Sequence, residues 1–141
     1  MVGPSSSHTA GAVKIGIKAR ELYLEMGLGD IKEVDIHFYG SFAKTYKGHA
    51  TDVATIGGLM GFEPHDLEIK DAYAIAKQRG LEITIIPEHG EIPADERIER
   101  GENNPHLNTV KIVFKNKIQN LEITGVSIGG GSYKIIDVYH D

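Results

Sequence analysis

The strongest structural signal in this chain is Val110-Lys-Ile-Val-Phe-Lys-Asn-Lys-Ile-Gln-Asn-Leu-Glu-Ile-Thr124. Large apolar side chains recur at every second position from Val110 to Phe114, and this period of two predicts a strand with one buried face. Asn116 then favours a turn, and the alternation resumes at Leu121. The segment therefore predicts two antiparallel strands joined by a short hairpin.

The same criteria apply along the rest of the chain. Further strands are predicted over Val34–Phe38, Leu81–Ile85 and Tyr133–Val138. Helices are predicted over Thr9–Met26 and Thr51–Met60, and a third between an Asp66 cap and Gly80, with Tyr73 among its core residues. Because helices come early and strands late, the sequence predicts an α+β fold with a mostly antiparallel, mixed sheet and helices packed on one face.

Length and composition limit the possible functions. The chain has 141 residues, which predicts a single domain over 1–141 with an acidic loop at about 87–105. It contains no cysteine, which excludes disulfide scaffolds, thiol nucleophiles and cysteine-ligated metal clusters within this chain. The formal net charge of -5 argues against a nucleic-acid partner. The sequence has neither an apolar run of about 20 residues nor a signal peptide, so we expect a cytoplasmic protein without a membrane partner.

The first candidate site precedes the first predicted helix. Ser5, Ser6, Ser7, His8 and Thr9 lie in a predicted loop at its N-terminus. Free backbone N–H groups and the positive end of the helix dipole favour anions there. We expect these residues to bind a carboxylate or a phosphate. The alternative is an elaborate helix cap, for which one serine would suffice.

Arg20 stands out on the same helix because its neighbours at helical spacing, Val13, Ile17 and Leu24, are apolar. We expect a polar partner, such as a carboxylate, to explain the charge at this position. The alternative is that the long side chain extends to the edge of the apolar surface.

A second candidate site lies between Tyr39 and Asp52, after a predicted strand. His49, Thr51 and Asp52 offer a base, a hydroxyl and an orienting carboxylate, a combination suited to proton transfer. The alternative is that Thr51 or Asp52 caps the next helix and His49 is exposed. No H-E-x-x-H or similar helical metal pair occurs, so no metal site is predicted in the chain.

Two further polar segments adjoin predicted strands. His106 and Asn108 alternate just before the strand that begins near Val110, so both face one side of an extended segment. Ser127–Ser132 contains three consecutive glycines, which permit close approach of the backbone to a partner. A simple flexible turn is the alternative for this segment.

Taken together, the four segments resemble the beta chain of the iron–sulfur-dependent L-serine dehydratases of bacteria. The resemblance rests on GPSSSHTAGAVKIG from Gly3, YGSFAKTYKGHATD from Tyr39, HLNT from His106 and VSIGGGSYKI from Val126, in the family's order. The fold it implies is similar to the allosteric substrate-binding domain of some phosphoglycerate dehydrogenases.

The resemblance implies an enzyme subunit that helps to eliminate water from L-serine, yielding pyruvate and ammonia. It implies a [4Fe-4S] cluster bound by a cysteine-bearing alpha partner and not by this chain, and it leaves room for a homo-oligomer. His49, Thr51, His106 and Asn108 match the family's catalytic positions. Ser5, Ser6, Ser7, His8 and Thr9 match its serine-rich, substrate-binding motif.

Two other functions compete with this interpretation. One is a regulatory module that binds an anion or serine at Ser5–Thr9 and has no catalytic role. The other is a free-standing hydrolase with Ser7 as nucleophile and His8 as base. The hydrolase is disfavoured because adjacent side chains rarely face each other and the sequence has no G-x-S-x-G turn.

Overall fold

The computed structural model describes residues 7–40, 50–88, 108–129 and 131–140. These residues form three α-helices, a short 3-10 helix and five strands. The helices are α1 (Ser7–Glu25), α2 (Thr51–Leu59) and α3 (Ala72–Gln78), with the 3-10 helix at Leu67–Asp71. The strands are β1 (Glu33–Tyr39), β2 (Glu82–Pro87), β3 (Asn108–Lys115), β4 (Leu121–Gly129) and β5 (Ser132–His140).

The five strands form one mixed sheet in the order β2-β1-β3-β4-β5. β1 and β2 run parallel, with Val34 opposite Ile83. The other three pairings are antiparallel. The β3–β4 hairpin turns through residues 116–120, as the alternation predicted. The α+β prediction is therefore confirmed, including the mostly antiparallel, mixed sheet.

The core lies between the sheet and the helices. Alternate strand residues, such as Val34, Ile36 and Phe38 of β1, are fully buried. Those between them, such as Asp35 and His37, are half-buried on the other face. This period of two is what one covered face of a sheet requires. Two buried aromatic rings, Tyr23 of α1 and Phe114 of β3, pack with their centroids 4.7 Å apart.

A glycine contact brings α1 and α2 together. A Cβ atom added at Gly16 would lie 3.0 Å from Gly58 Cα, and one added at Gly58 would overlap the Val13 carbonyl oxygen. The backbones therefore approach more closely than side chains would allow. Beyond this crossing, Arg20 of α1 lies against Gly61, which follows α2. The C-terminal halves of α1 and α2 therefore lie side by side. The two helices thus begin at the same end of the molecule.

Four details differ from the sequence predictions. α1 begins at Ser7, so Ser7, His8 and Thr9 form its first turn and not a loop. The third helix is divided into the 3-10 helix and α3. Asp66 makes no side-chain cap for it, because its Oδ2 accepts a hydrogen bond from the Glu63 N–H at 2.8 Å.

Tyr73 is the fourth difference, since it was predicted in the core and is 45% exposed. Of the predicted acidic loop, Pro87 ends β2 and Glu88 follows it. Glu88 accepts a 2.8 Å hydrogen bond from His37 when Nδ1 carries the proton. The remainder of that loop lies outside the described residues.

Candidate functional site

Segments from three neighbouring strands meet at one end of the sheet. β1 ends at Tyr39, which lies opposite Thr109 near the start of β3. Asn108, the first residue of β3, lies opposite Ser127 of β4. We call this end of the molecule, where β1 and β4 finish and β3 and β5 begin, the motif end. Segments that are far apart in sequence are brought together there by strand register.

The glycine-rich segment joins β4 to β5 at this end. Gly129 lies opposite Ser132, and Ser127 lies opposite Tyr133. The left-handed backbone of Gly131, with φ 78°, allows the chain to reverse. The Nζ atom of Lys14 on α1 would lie 3.5 Å from a Cβ atom added at Gly131. The segment is therefore a tight turn at which α1 and the sheet meet.

The first turn of α1 reaches the same end of the sheet. A Cβ atom added at Gly11 would overlap Ser127 Oγ and would lie 3.0 Å from the Ser132 carbonyl oxygen. Glycine at this position therefore allows α1 to lie directly on β4 and β5. Thr9, two residues earlier, is 1% exposed. The serine-rich segment thus leads into a helix start that is packed against the glycine-rich turn.

The start of α2 completes this end of the molecule. Ala50 precedes the helix with φ 60° and ψ 25°, a left-handed conformation that is uncommon for a residue with a Cβ atom. Thr51 and Asp52 follow in the first turn and are 1% and 6% exposed. The N-cap residue Ala50 has no polar side chain to cap the helix, whereas Asp52 in the first turn accepts a hydrogen bond from the Val53 N–H, as the capping alternative for Asp52 predicted. Strained backbone beside buried polar groups is typical of functional sites.

Both carboxylate oxygens of Asp52 have hydrogen-bond donors. Oδ1 accepts from the Val53 N–H at 2.8 Å, and Oδ2 accepts from the Tyr73 hydroxyl at 2.7 Å. A buried carboxylate needs such donors, because desolvation penalises its charge. Tyr73 therefore links α3 to the first turn of α2. The sequence analysis missed this role, since the tyrosine at core spacing carried no signal of a long-range hydrogen bond.

Thr109 carries a polar atom without a partner among the described residues. Its side chain is fully buried, and Oγ1 forms no hydrogen bond within that part of the chain. Its strand neighbours on that face are Tyr39 and Val126. A buried hydroxyl without a partner carries a desolvation penalty that folding does not offset. The sequence analysis quoted Thr109 within HLNT but assigned it no role.

The predicted site residues are described unequally. Thr9, Thr51 and Asn108 all lie at the motif end, with both threonines buried and Asn108 half-buried. Ser7 and His8 form the first turn of α1. The predicted positions that lie outside the described residues are Ser5, Ser6, His49 and His106. The sequence places each of these four within two residues of a described segment at the motif end.

The residues present do not fit an iron–sulfur cluster. The chain has no cysteine to supply thiolate ligands. Among the described residues, no three His, Asp or Glu side chains are grouped so as to hold a metal ion. These residues therefore supply no thiolate ligand for such a cluster. In the same described part of the protein, no helix has the length and apolar character needed to cross a membrane.

Comparison with known proteins decides the family. The family model described as serine dehydratase beta chain matches residues 1–136. This chain belongs to the serine dehydratase beta chain family. The described parts of the segments by which the sequence resembles that family, such as the first turn of α1, the start of α2 and Asn108, lie at the motif end.

Three relatives illustrate the similarity. The probable L-serine dehydratase beta chain of Bacillus subtilis (strain 168) is 44% identical over 138 residues, covering 98% of this chain and 56% of the relative. The L-serine dehydratase beta chain of Peptoniphilus asaccharolyticus is 42% identical over 139 residues, with the same coverage of 98% and 56%. The L-serine dehydratase TdcG of Escherichia coli (strain K12) is 33% identical over 145 residues, covering 92% of this chain and 30% of the relative. The chain thus spans about half the length of the curated beta chains that it matches.

Proposed function

We propose that this chain is the beta subunit of an L-serine dehydratase that converts L-serine to pyruvate and ammonia in the cytoplasm. The observation that carries the proposal is the convergence of the family's segments at the motif end. The helix starts of α1 and α2 and the first residues of β3 meet there around buried polar side chains. Polar groups buried at the meeting point of several elements are the usual setting for bound substrate.

The reaction assigns roles to polar groups of this chain. Elimination breaks the Cα–H and Cβ–O bonds of serine, so it needs a base near the α-proton and an acid near the departing hydroxyl. An imidazole titrates near neutrality and can serve in either role. We assign proton transfer to His49 and His106. We assign orientation of the substrate to the Thr51 hydroxyl and the Asn108 amide.

The carboxylate of the substrate requires a separate set of groups. We assign its binding to the first turn of α1 and the residues before it, Ser5–Thr9. Backbone N–H groups and hydroxyls there can donate hydrogen bonds to an anion. The contact of Gly11 with Ser127 and Ser132 supports this assignment, because it holds the helix start against β4, where Ser127 lies opposite Asn108 of β3.

The proposed alpha partner would supply the thiolate ligands that this cysteine-free chain does not contain. We propose that a cysteine-bearing alpha subunit holds a [4Fe-4S] cluster, which supplies Lewis-acid chemistry at the serine hydroxyl. The bare backbone of Gly129–Gly131 allows close docking, so we place this turn in the interface together with the His49 and His106 segments. The cysteine-free composition of this chain supports that division of ligands.

Anaerobic co-expression with a candidate alpha chain tests the proposal. We expect the purified beta chain alone to be colourless and unable to form pyruvate from serine. The co-purified complex should show cluster absorbance and pyruvate formation, and both should decline in air. Cluster absorbance or serine elimination by this chain alone would overturn the proposal, as would full activity of the complex after removal of its iron.

Variants of the same complex distinguish a catalytic role of the motif end from a regulatory one. If the motif end were only a regulatory anion-binding module, variants there would change the response to serine concentration but leave the maximal rate intact. We expect the maximal rate itself to fall.

A further inference from the structure

A cavity lies beyond the crossing of α1 and α2, away from the motif end. Its volume is about 240 Å³, and Arg20 and Arg79 both line it. Arg20 is on α1, and Arg79 directly follows α3. Thr9 and Arg20 are separated along α1 by roughly 16 Å, since a helix rises 1.5 Å per residue. The cavity is therefore distinct from the candidate active site.

Neither arginine is neutralised by a carboxylate of the described residues. No ion pair within 4.0 Å joins Arg20 or Arg79 to an acidic group in the part of the chain that the structure describes. The carboxylate partner expected for Arg20 is thus not found there. Asp30 also lines the cavity, but it is exposed and forms no ion pair with either guanidinium. Two positively charged side chains thus meet at one cavity in a chain whose formal net charge is -5.

Arg20 is half-buried and Arg79 is exposed, and each guanidinium lies beside other groups of the protein. Arg79 donates from Nη1 to the Met60 carbonyl oxygen at 3.3 Å, and its Cζ lies 5.5 Å from the centroid of the Phe62 ring. Arg20 lies against the turn after α2, with Cζ 3.5 Å from where a Gly61 Cβ would be. The planar N–H donors of a guanidinium match a carboxylate.

Apart from Asp30, the rest of the lining is apolar. Leu59 is 1% exposed and Leu81 is 9% exposed, and Leu24 lies at the rim with 42% exposed. Such a lining would leave a fully hydrated anion such as phosphate without partners on most of its surface. An anion with a short hydrocarbon body would bury that body against the leucines while the guanidiniums hold its charged end.

We propose that this cavity binds a small organic carboxylate, with Arg20 and Arg79 as its anion-binding residues and the leucines against its hydrocarbon part. The site belongs to this chain alone and does not depend on the proposed catalytic function. It would give the protein a second small-molecule site at the opposite end of α1 from the motif end.

Titration of the purified chain tests the proposal, with butyrate, succinate and inorganic phosphate as probes at constant ionic strength. Binding is measured by calorimetry and by the NMR signals of the arginine Nε–H groups. We expect saturable 1:1 binding of at least one carboxylate, with phosphate bound more weakly. Arg20→Gln and Arg79→Gln should each weaken carboxylate binding at least about tenfold, because a bidentate contact is lost.

The control is Lys18→Gln, which removes one positive charge from the same helix at a residue whose ion pair with Glu21 is exposed. It should change affinity less than about twofold, as expected for a screened surface charge. Leu24→Asn should weaken butyrate more than phosphate. If Arg79→Gln lowers the melting temperature, Arg79→Lys keeps the charge but removes the planar donors, and it should still weaken binding.

Three results would overturn the proposal. The first is the absence of saturable carboxylate binding. The second is an unchanged affinity in both Arg20→Gln and Arg79→Gln, or an equal loss in Lys18→Gln. The third is tighter binding of phosphate than of either carboxylate. None of these measurements involves serine turnover, so their failure and the failure of the dehydratase proposal are distinguishable.

Discussion

The two ends of the sheet differ in how many polar side chains they bury. Among the described residues, the buried polar ones are Thr9, Thr51, Asp52, Thr55, Thr109, Thr124 and Ser127. Five of these lie at the motif end, and Thr55 and Thr124 lie in the middle of α2 and β4. At the opposite end, around the β3–β4 hairpin, the buried side chains include Tyr23, Phe114 and Leu121.

Charged groups at the hairpin end are arranged as ion pairs at the edge of the core, with Lys115 exposed and Asp35 15% exposed. Lys115 lies 2.9 Å from Asp35 and 3.7 Å from Glu33, and its side chain is 42% exposed. The Tyr23 hydroxyl there accepts a 2.9 Å hydrogen bond from Asn116. Folding alone favours such an end, with apolar groups buried and charges paired with one another. The motif end departs from this pattern, and this departure supports the proposal that substrate binds there.

The largest expected effect is a loss of enzymatic turnover when a histidine of the motif end is replaced. His49→Ala in the assembled enzyme should lower kcat by about 10²–10⁴-fold, because general acid–base catalysis contributes this much, and the melting temperature should stay unchanged. His106→Ala should behave in the same way. The control is His140→Ala, since His140 pairs with Leu121 at the hairpin end. Near-normal turnover in both variants would contradict the assigned roles and favour the regulatory module.

The helix crossing that aligns the two helix starts should be the next most sensitive feature. Gly58→Ala would force a Cβ atom onto the Val13 carbonyl and the Gly16 backbone. We expect a loss of about 3 kcal/mol in the free energy of unfolding, as for overpacking against rigid backbone. Gly57→Ala is the matched control, since its Cβ meets only the Ile69 side chain, 3.0 Å away. Equal denaturation midpoints for the two variants would show that the backbones are not in tight contact.

The Tyr73–Asp52 hydrogen bond offers a third test. Tyr73→Phe removes one donor from a buried carboxylate and should cost about 1.5 kcal/mol, the lower range for hydrogen bonds to charged groups. We also expect kcat to fall, because Asp52 lies in the turn that follows His49. Tyr139→Phe, at a tyrosine that is 53% exposed near the hairpin end, is the control. Urea denaturation that gives the same stability for both variants would argue against a role for the Tyr73 hydroxyl.

Removing the Thr109 hydroxyl, which has no partner among the described residues, should raise the stability of the fold instead of lowering it. Thr109→Val deletes a buried oxygen that has no partner among the described residues, and it should stabilise the fold by about 1 kcal/mol, because the desolvation penalty disappears. Thr55→Val is the matched control, since Thr55 Oγ1 donates to the Thr51 carbonyl at 2.9 Å, and it should destabilise by a similar amount. Calorimetric melting that shows Thr109→Val to be as harmful as Thr55→Val would mean that the Thr109 hydroxyl is satisfied.

The smallest effect belongs to the surface charges of the hairpin end. The hydrogen bond and the negative charge of Asp35 raise the pKa of Lys115 above its ordinary value of 10.5, with a lesser contribution from Glu33. A raised pKa stabilises the fold below the unfolded-state pKa of Lys115, and this stabilisation is lost as the pH rises through the folded-state value. NMR titration of Lys115 should show that Asp35→Asn lowers its pKa more than Glu33→Gln does. The reverse order would contradict the assignment of Asp35 as the main partner of Lys115.

The elements of the fold were largely predictable from the sequence. The period of two in Val110–Phe114 and the helical spacing of α1 depend only on which side chains neighbour one another along the chain, so they determine local structure directly. The family's segments were equally visible, because each is contiguous. Their gathering at one end was not, since it requires the register of β1, β3 and β4.

Tertiary structure alone decided the contacts that distinguish the two ends. The hydrogen bond of Tyr73 to Asp52 spans 21 residues, and the same helical spacing had predicted that Tyr73 was buried. Arg20 was recognised as unusual, but only the positions of Gly61 and Arg79 gave it an environment without a carboxylate partner among the described residues. Such contacts depend on how helices cross and strands align. A linear pattern does not encode that geometry, because the energies that fix it come from close packing between distant segments.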